Sequence, residues 1–232
     1  MKQNSLSRFT RVLVILTSVL VLKVTGMILA EYRFYFPPDF NSNFLRGREG
    51  YFFDSYQWPF WLHILSGPLS LILGLLLVSS RFRLRFPKWH QRLGRIQAMN
   101  VLFFVAPSGF WMAFYAAAGP LAGLSFGLLS LLTATTMAMG WRRAVQRRFA
   151  DHRRWMLRNF TLLCSPVVLR LIGGFATWME FGPDWLNLLA TWVCWVLPVL
   201  FLEAQLRIRT LKRVAHSLPA ADGMVRLNAS QL

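Results

Sequence analysis

Six apolar runs of about twenty residues each dominate this chain, with clusters of arginine and lysine between them. The runs lie at about 12–30, 59–79, 97–118, 121–140, 160–178 and 185–205. A helix needs about 20 apolar residues to cross a hydrocarbon core of about 30 Å. A spanning segment must also satisfy its own backbone polar groups, which leaves helices or closed barrels. Runs of this length select helices. The expected fold is all-α, a polytopic bundle of six transmembrane helices in one domain over 12–205. Short flanks remain, an N-terminal segment 1–11 and a basic, polar tail 206–232.

The charges orient the bundle. The net charge is +17, and 21 of the 26 lysines and arginines fall before the first run, between the second and third, between the fourth and fifth, and after the sixth. Those positions share one side of an alternating bundle. The opposite loops carry Glu31, Asp39, Glu49, Asp54, Glu180 and Asp184 against only Arg33, Arg46 and Arg48. The positive-inside rule then predicts both termini in the cytoplasm, as in an inner (plasma) membrane protein. Trp58, Trp61, Trp178 and Trp185 fall at the outer boundary and Trp89, Trp141 and Trp155 at the inner one, as an interfacial belt would place them. The basic excess is expected to meet anionic lipid rather than nucleic acid, since no aromatic interleaving accompanies it.

Cys164 and Cys194 lie inside apolar runs and form no C-x-x-C pair. No C-x-x-C-H, P-loop, Rossmann fingerprint, H-E-x-x-H or G-x-S-x-G occurs, which argues against covalent haem and soluble-type ATPases or hydrolases. The first run has a basic start, but Lys23 interrupts it and it outlasts a usual signal-peptide core, so it is read as a membrane helix. Residues 31–58 hold ten aromatics from Tyr32 to Tyr56. They are expected to form a loop on the membrane surface, anchored by its rings, with a lid over an outward cavity as the alternative.

Several residues carry possible chemistry. His63, Gly67, Ser70 and Gly74 share one face of the second span. Pro68 frees the carbonyl of Ile64, and the His63 ring is expected to satisfy it, with metal, haem or proton-relay roles as alternatives. His90 and His152 stand near the inner starts of the third and fifth spans. Two facing imidazoles are the minimum for bis-His haem, and contact with lipid phosphate or helix capping is the plainer reading. No histidine falls in the fourth or sixth span, so the ladder of diheme b-type cytochromes is missing. Arg170 and Lys23 are each placed about 16 Å from the inner end of their helices, a depth with no acid. Arg170 would suit a haem propionate, a quinone oxygen, a lipid phosphate or a carboxylate substrate. Gly119, Gly123 and Gly127 make a packing face, within the chain or in a homodimer or membrane complex. The sixth span carries Asn187, Thr191, Cys194 and Pro198 along one stripe.

The stretch "WLHILSGPLSLILGLLLVSSRFRLRFPKWHQRLGRI" from Trp61 to Ile96 and "DHRRWMLRNFTLLCSPVVLRLIGG" from Asp151 to Gly174 resemble the bacterial membrane proteins grouped as domain of unknown function 2306. The resemblance covers roughly 58–205 and implies a multi-span integral membrane protein with no particular activity. Its landmarks here are His63, His90, Arg95, His152, Arg158 and Arg170. Gly67–Leu93 and Gly127–Met156 also suggest an internal duplication, in which Ser70 matches Ser130 and His90 matches His152. Three functions remain open. They are a membrane redox or cofactor-binding protein (b-type haem, quinone or metal), a small-molecule or lipid transporter with an anionic ligand at Arg170, and an assembly subunit.

Overall fold

The computed structural model describes residues 8–42 and 44–217. It is 85% helical, and six of its helical stretches are long and apolar enough to cross a membrane. The expected tail beyond Ser217 and the first seven residues lie outside the described residues.

The first span is α1 (Arg8–Ala30). A one-turn α2 (Glu49–Tyr51) leads through a π-turn, Phe52–Tyr56, into α3 (Gln57–Val78). After the short α4 (Ser80–Arg85) come α5 (Pro87–Asn100), a second π-turn at Val101–Val105, and α6 (Ala106–Ala113). The fourth span is α7 (Pro120–Val145). The fifth is broken into α8 (Phe149–Leu163) and α9 (Ser165–Trp178), and the sixth is α10 (Asp184–Ser217). Proline explains the punctuation. Pro87, Pro107, Pro120 and Pro166 each sit in the first two positions of a helix, where a missing N–H costs nothing.

Two expected boundaries are corrected. The third span begins at Pro87 rather than near 97, and the fifth at Phe149 rather than near 160. The basic segments are helical extensions of the spans. Arginine is a good helix former, and its long side chain reaches the water edge from a helix as well as from a loop. His90 and His152 consequently stand in the first turns of α5 and α8.

The core of the bundle joins Val21 and Val24 of α1, Leu71 of α3, Ala98 and Val101 of the third span, Met137 of α7, and Leu163 and Val167 of the fifth. Ser125 ties α10 to α7, accepting from the Trp195 indole at 3.0 Å and donating to the Thr191 carbonyl at 2.8 Å. Of the expected stripe on that span, Thr191 and Cys194 are buried and Asn187 is exposed.

The aromatic segment does not lie flat on the surface as a loop. It packs as a cap, with Tyr35, Leu45, Phe52, Tyr56, Phe60 and Ile64 forming a second core. Edge-to-face pairs such as Tyr35–Phe60 and stacked pairs such as Phe44–Phe60 fill it, each worth about 0.5–1.5 kcal/mol beyond burial. Arg48 stands inside the cap, 8% exposed. Its Nε donates to the Phe44 carbonyl at 2.8 Å, and Nη1 donates to the Tyr51 hydroxyl at 3.0 Å and the Tyr115 carbonyl at 2.9 Å. The rings of Phe44 and Tyr56 cover the guanidinium. Tyr115 follows α6, so Arg48 latches the cap to the bundle. Arg48→Ala is expected to lower stability by about 1.5–3 kcal/mol, the value of hydrogen bonds to a charged group. It should also open residues 31–56 to protease ahead of the spans, a result that limited proteolysis during a denaturant titration would check.

Candidate functional site

The interior of the bundle is polar along two seams built alike. Between α3 and α5, Gln97 Nε2 donates to the Ser70 carbonyl and Asn100 Nδ2 to the Ser66 carbonyl, both at 3.0 Å. Between α7 and α8, Asn159 Nδ2 donates to the Thr133 carbonyl at 2.8 Å and to Thr136 Oγ1 at 3.1 Å. Each seam therefore carries a buried amide donating to the preceding span. Gln97 lies seven residues after His90, and Asn159 lies seven after His152. Seven residues are two helical turns, so each amide shares a face with its histidine, about 10 Å deeper.

Both histidines stand at the basic end, in the first turns of α5 and α8. Arg83 and His152 are electrostatic neighbours of His90. His152 Nδ1 lies 2.8 Å from the Gly140 carbonyl, which only accepts. Nδ1 therefore carries the proton of this bond. His90 Nδ1 is buried with no partner among the described residues. A Cβ on Gly140 would run into the end of the Met156 side chain, so α7 and α8 pack closely here.

His63 stands near the other end and corrects an expectation. The Ile64 carbonyl freed by Pro68 is taken by the Tyr32 hydroxyl, reaching across from the turn Glu31–Phe34. The His63 ring turns to α6 instead, with Nδ1 3.1 Å from Ser108 Oγ. Ser108 spends its own proton on the carbonyls of Phe104, at 2.5 Å, and Val105, at 3.2 Å. His63 Nδ1 must then be the donor in its bond.

The two cations placed at mid-depth part company. Arg170 was expected to have no acid at its level. Its Nη2 lies 3.8 Å from Glu31 Oε2, because α1 passes directly into the turn Glu31–Phe34 and sets that carboxylate against α9. The Tyr35 hydroxyl donates to the same carboxylate at 3.1 Å, and burial, then the Glu31 charge, raises this phenol above its ordinary range. Lys23 is exposed on α1. At the basic end Arg158 makes a two-pronged pair with Glu203 of α10, at 2.5 and 3.0 Å, and lies over the Trp155 ring. Arg95 is exposed. Among the described residues no three or more His, Cys, Asp or Glu side chains gather as a metal cluster.

A family model described as predicted membrane protein (DUF2306) matches residues 60–206. The chain belongs to the DUF2306 family. No curated protein and no solved structure matches it. The matched region runs from the second span into α10. It therefore contains both polar seams and all three spanning histidines of this DUF2306 protein, while α1 and most of the cap precede it.

The glycines divide by role. Gly119 has φ +88° and open space where its Cβ would be, so it serves the turn before α7. Gly123 and Gly127 face α6, and a Cβ on Gly123 would stand 2.6 Å from the Ala113 carbonyl. A Cβ on Gly74 would stand 2.7 Å from the Phe160 ring, Ser70 is buried, and Gly67 has open space. Sequence reasoning missed Gln97, Asn100, Asn159, Gly140 and Glu203. The repeated spacing of a histidine and an amide seven residues on was the readable signal for two of them.

The Arg158–Glu203 pair lends itself to a charge swap. Arg158→Glu is expected to lower the midpoint of thermal unfolding by about 2–4 °C, for a partly exposed pair worth about 1 kcal/mol. Adding Glu203→Arg should recover most of that loss, read by thermal unfolding in mild detergent.

Proposed function

We propose that this DUF2306 protein binds a cofactor in the membrane through His90 and His152, and that b-type haem is the group whose chemistry these residues suit best. One observation carries the reading. His90 and His152 hold matching places at the basic end, each seven residues before a buried amide, one with its Nδ1 held by the Gly140 carbonyl and the other with a buried Nδ1 that has no partner among the described residues. A metal-ligating histidine characteristically donates its second nitrogen to a carbonyl, as His152 does. Arg83 beside His90 supplies a positive charge for an acidic edge of the bound group. A haem held by two imidazoles would carry one electron at a time. The protein's part is to hold the rings, fix the His152 tautomer and exclude water with the surrounding spans.

The same proposal places the basic end in the cytoplasm of a bacterial cell, among anionic headgroups of the inner membrane, by the asymmetry of lysine and arginine. An anionic substrate at Arg170 has less support, because a carboxylate of the chain itself already stands beside that guanidinium. A dimer seam along the glycines has less support too, because Gly123 and Gly127 are occupied by α6.

The test is an absorption spectrum of the protein purified in mild detergent, before and after reduction, with metal analysis of the same sample. A Soret band that shifts on reduction is expected, lost in His90→Ala and in His152→Ala and kept in His63→Ala. A colourless, iron-free preparation from haem-sufficient cells would overturn the reading.

A further inference from the structure

We propose that the outward face of α1 is a docking surface for a membrane-spanning helix of another protein, one that carries a carboxylate at the depth of Lys23. The surface shares no residue with the His90–His152 pair and stands whether or not that pair holds haem.

One face of α1 is used by the bundle. Val21 and Val24 are buried in the core, and Thr25, buried beside them, donates to the Val21 carbonyl. The other face is uncovered. Val12, Leu16, Val19, Lys23, Gly26 and Ala30 recur at helical spacing, and all are exposed. Lipid accepts the aliphatic members of that stripe but not the ammonium. Lys23 stands about 22 Å along the helix from Arg8 and about 10 Å from Ala30. Its four-carbon stem falls short of either end. A helical side chain also leans toward its own N-terminus, which carries the ammonium away from the nearer headgroups and into the hydrocarbon layer. A cation at that depth calls for an anion beside it.

The chain does not supply that anion. The ion pairs among the described residues belong to Arg148, Arg158 and Arg170. Glu31, the acid nearest along the chain, is set beside Arg170, and Glu203 is held by Arg158 toward the basic end. The other described acids lie in the cap, in the connections or in the first turns of helices. A second copy standing parallel in the membrane offers the same inventory, with nothing acidic at the depth of Lys23. The complement must come from another protein. A helix suits the role of carrier. Space is open where a Cβ on Gly26 would be, and Gly26 and Ala30 are small residues four apart. Such a pair lets a second backbone approach closely, and here it does so within one to two turns of the cation. With water excluded, a carboxylate at that contact would pair strongly with Lys23.

The experiment places a benzophenone amino acid at Val19, one turn from Lys23, in the full chain made in its own cells. Native membranes are irradiated and the cross-linked segment is sequenced. The expected product joins α1 to an apolar segment of another protein that contains an aspartate or glutamate. Its yield should fall about tenfold or more in Lys23→Leu and persist in Lys23→Arg. Replacing the partner's acid by its amide should cause the same loss. Thermal unfolding in mild detergent checks the fold, and Lys23→Leu is expected to keep the native midpoint. Adducts with lipid alone, with a second copy of this chain, or with a segment lacking an acid would overturn the proposal. Undiminished yield in folded Lys23→Leu would overturn it as well.

Discussion

In a bilayer, every backbone carbonyl that leaves helical register must find a donor within the protein. Much of this structure follows from how the chain supplies those donors. Pro68 strips the Ile64 carbonyl of its helical partner, and Tyr32 replaces it. That one bond draws the segment after α1 down onto α3. The aromatic rings then have a surface to pack on, and Arg48 can close the cap against Tyr115. The π-turn at Val101–Val105 is met in the same way by Ser108, which in turn orients His63. Breaks in the helices are therefore where the polar chemistry of the bundle gathers.

The two seams give the bundle its internal logic. Gln97 and Asn159 donate to the carbonyls of Ser70 and Thr133, and each amide sits two turns below a histidine. Beyond the amide each half breaks, at Val101–Val105 in one and at Cys164 in the other, and resumes with a proline in the first turn. The histidine-to-amide spacing and the break recur, and the accepting carbonyl shifts by about one turn, from Ser70 in one seam to Thr133 rather than Ser130 in the other. His90 and His152 hold corresponding places at the basic ends of the two seams. Holding the amides holds the rings, since each pair rides on one rigid helix face.

Six spans were readable because length and charge act locally. Twenty apolar residues bounded by arginines mean the same thing wherever the chain goes next. Their starts were less readable. Arginine and histidine look like loop residues in a hydropathy profile, and only Pro87 and the break at Arg147–Arg148 mark where helix begins. Partners across the fold were not readable. Nothing near Arg170 in sequence announces Glu31, 139 positions earlier, and nothing near Pro68 announces Tyr32. The depth of Arg170 was misjudged because a helix counted from 160 is shorter than one that starts at Phe149. His63 was legible as an unusual residue in an apolar span, and His90 and His152 as histidines in the basic segments at span ends. Their bonds to Gly140 and Ser108 depend on packing that no single window contains.

The proposed site requires positions 90 and 152 to face each other inside one chain. Cross-linking tests it most directly. His90→Cys and His152→Cys would be introduced together, with Cys164→Ser and Cys194→Ser removing the native thiols. A short bis-maleimide would then be added to native membranes. The account predicts a cross-link within the monomer, seen as a faster-migrating band that neither single cysteine gives. Cross-links that form only between chains, or none in a protein whose spans are intact, would contradict it.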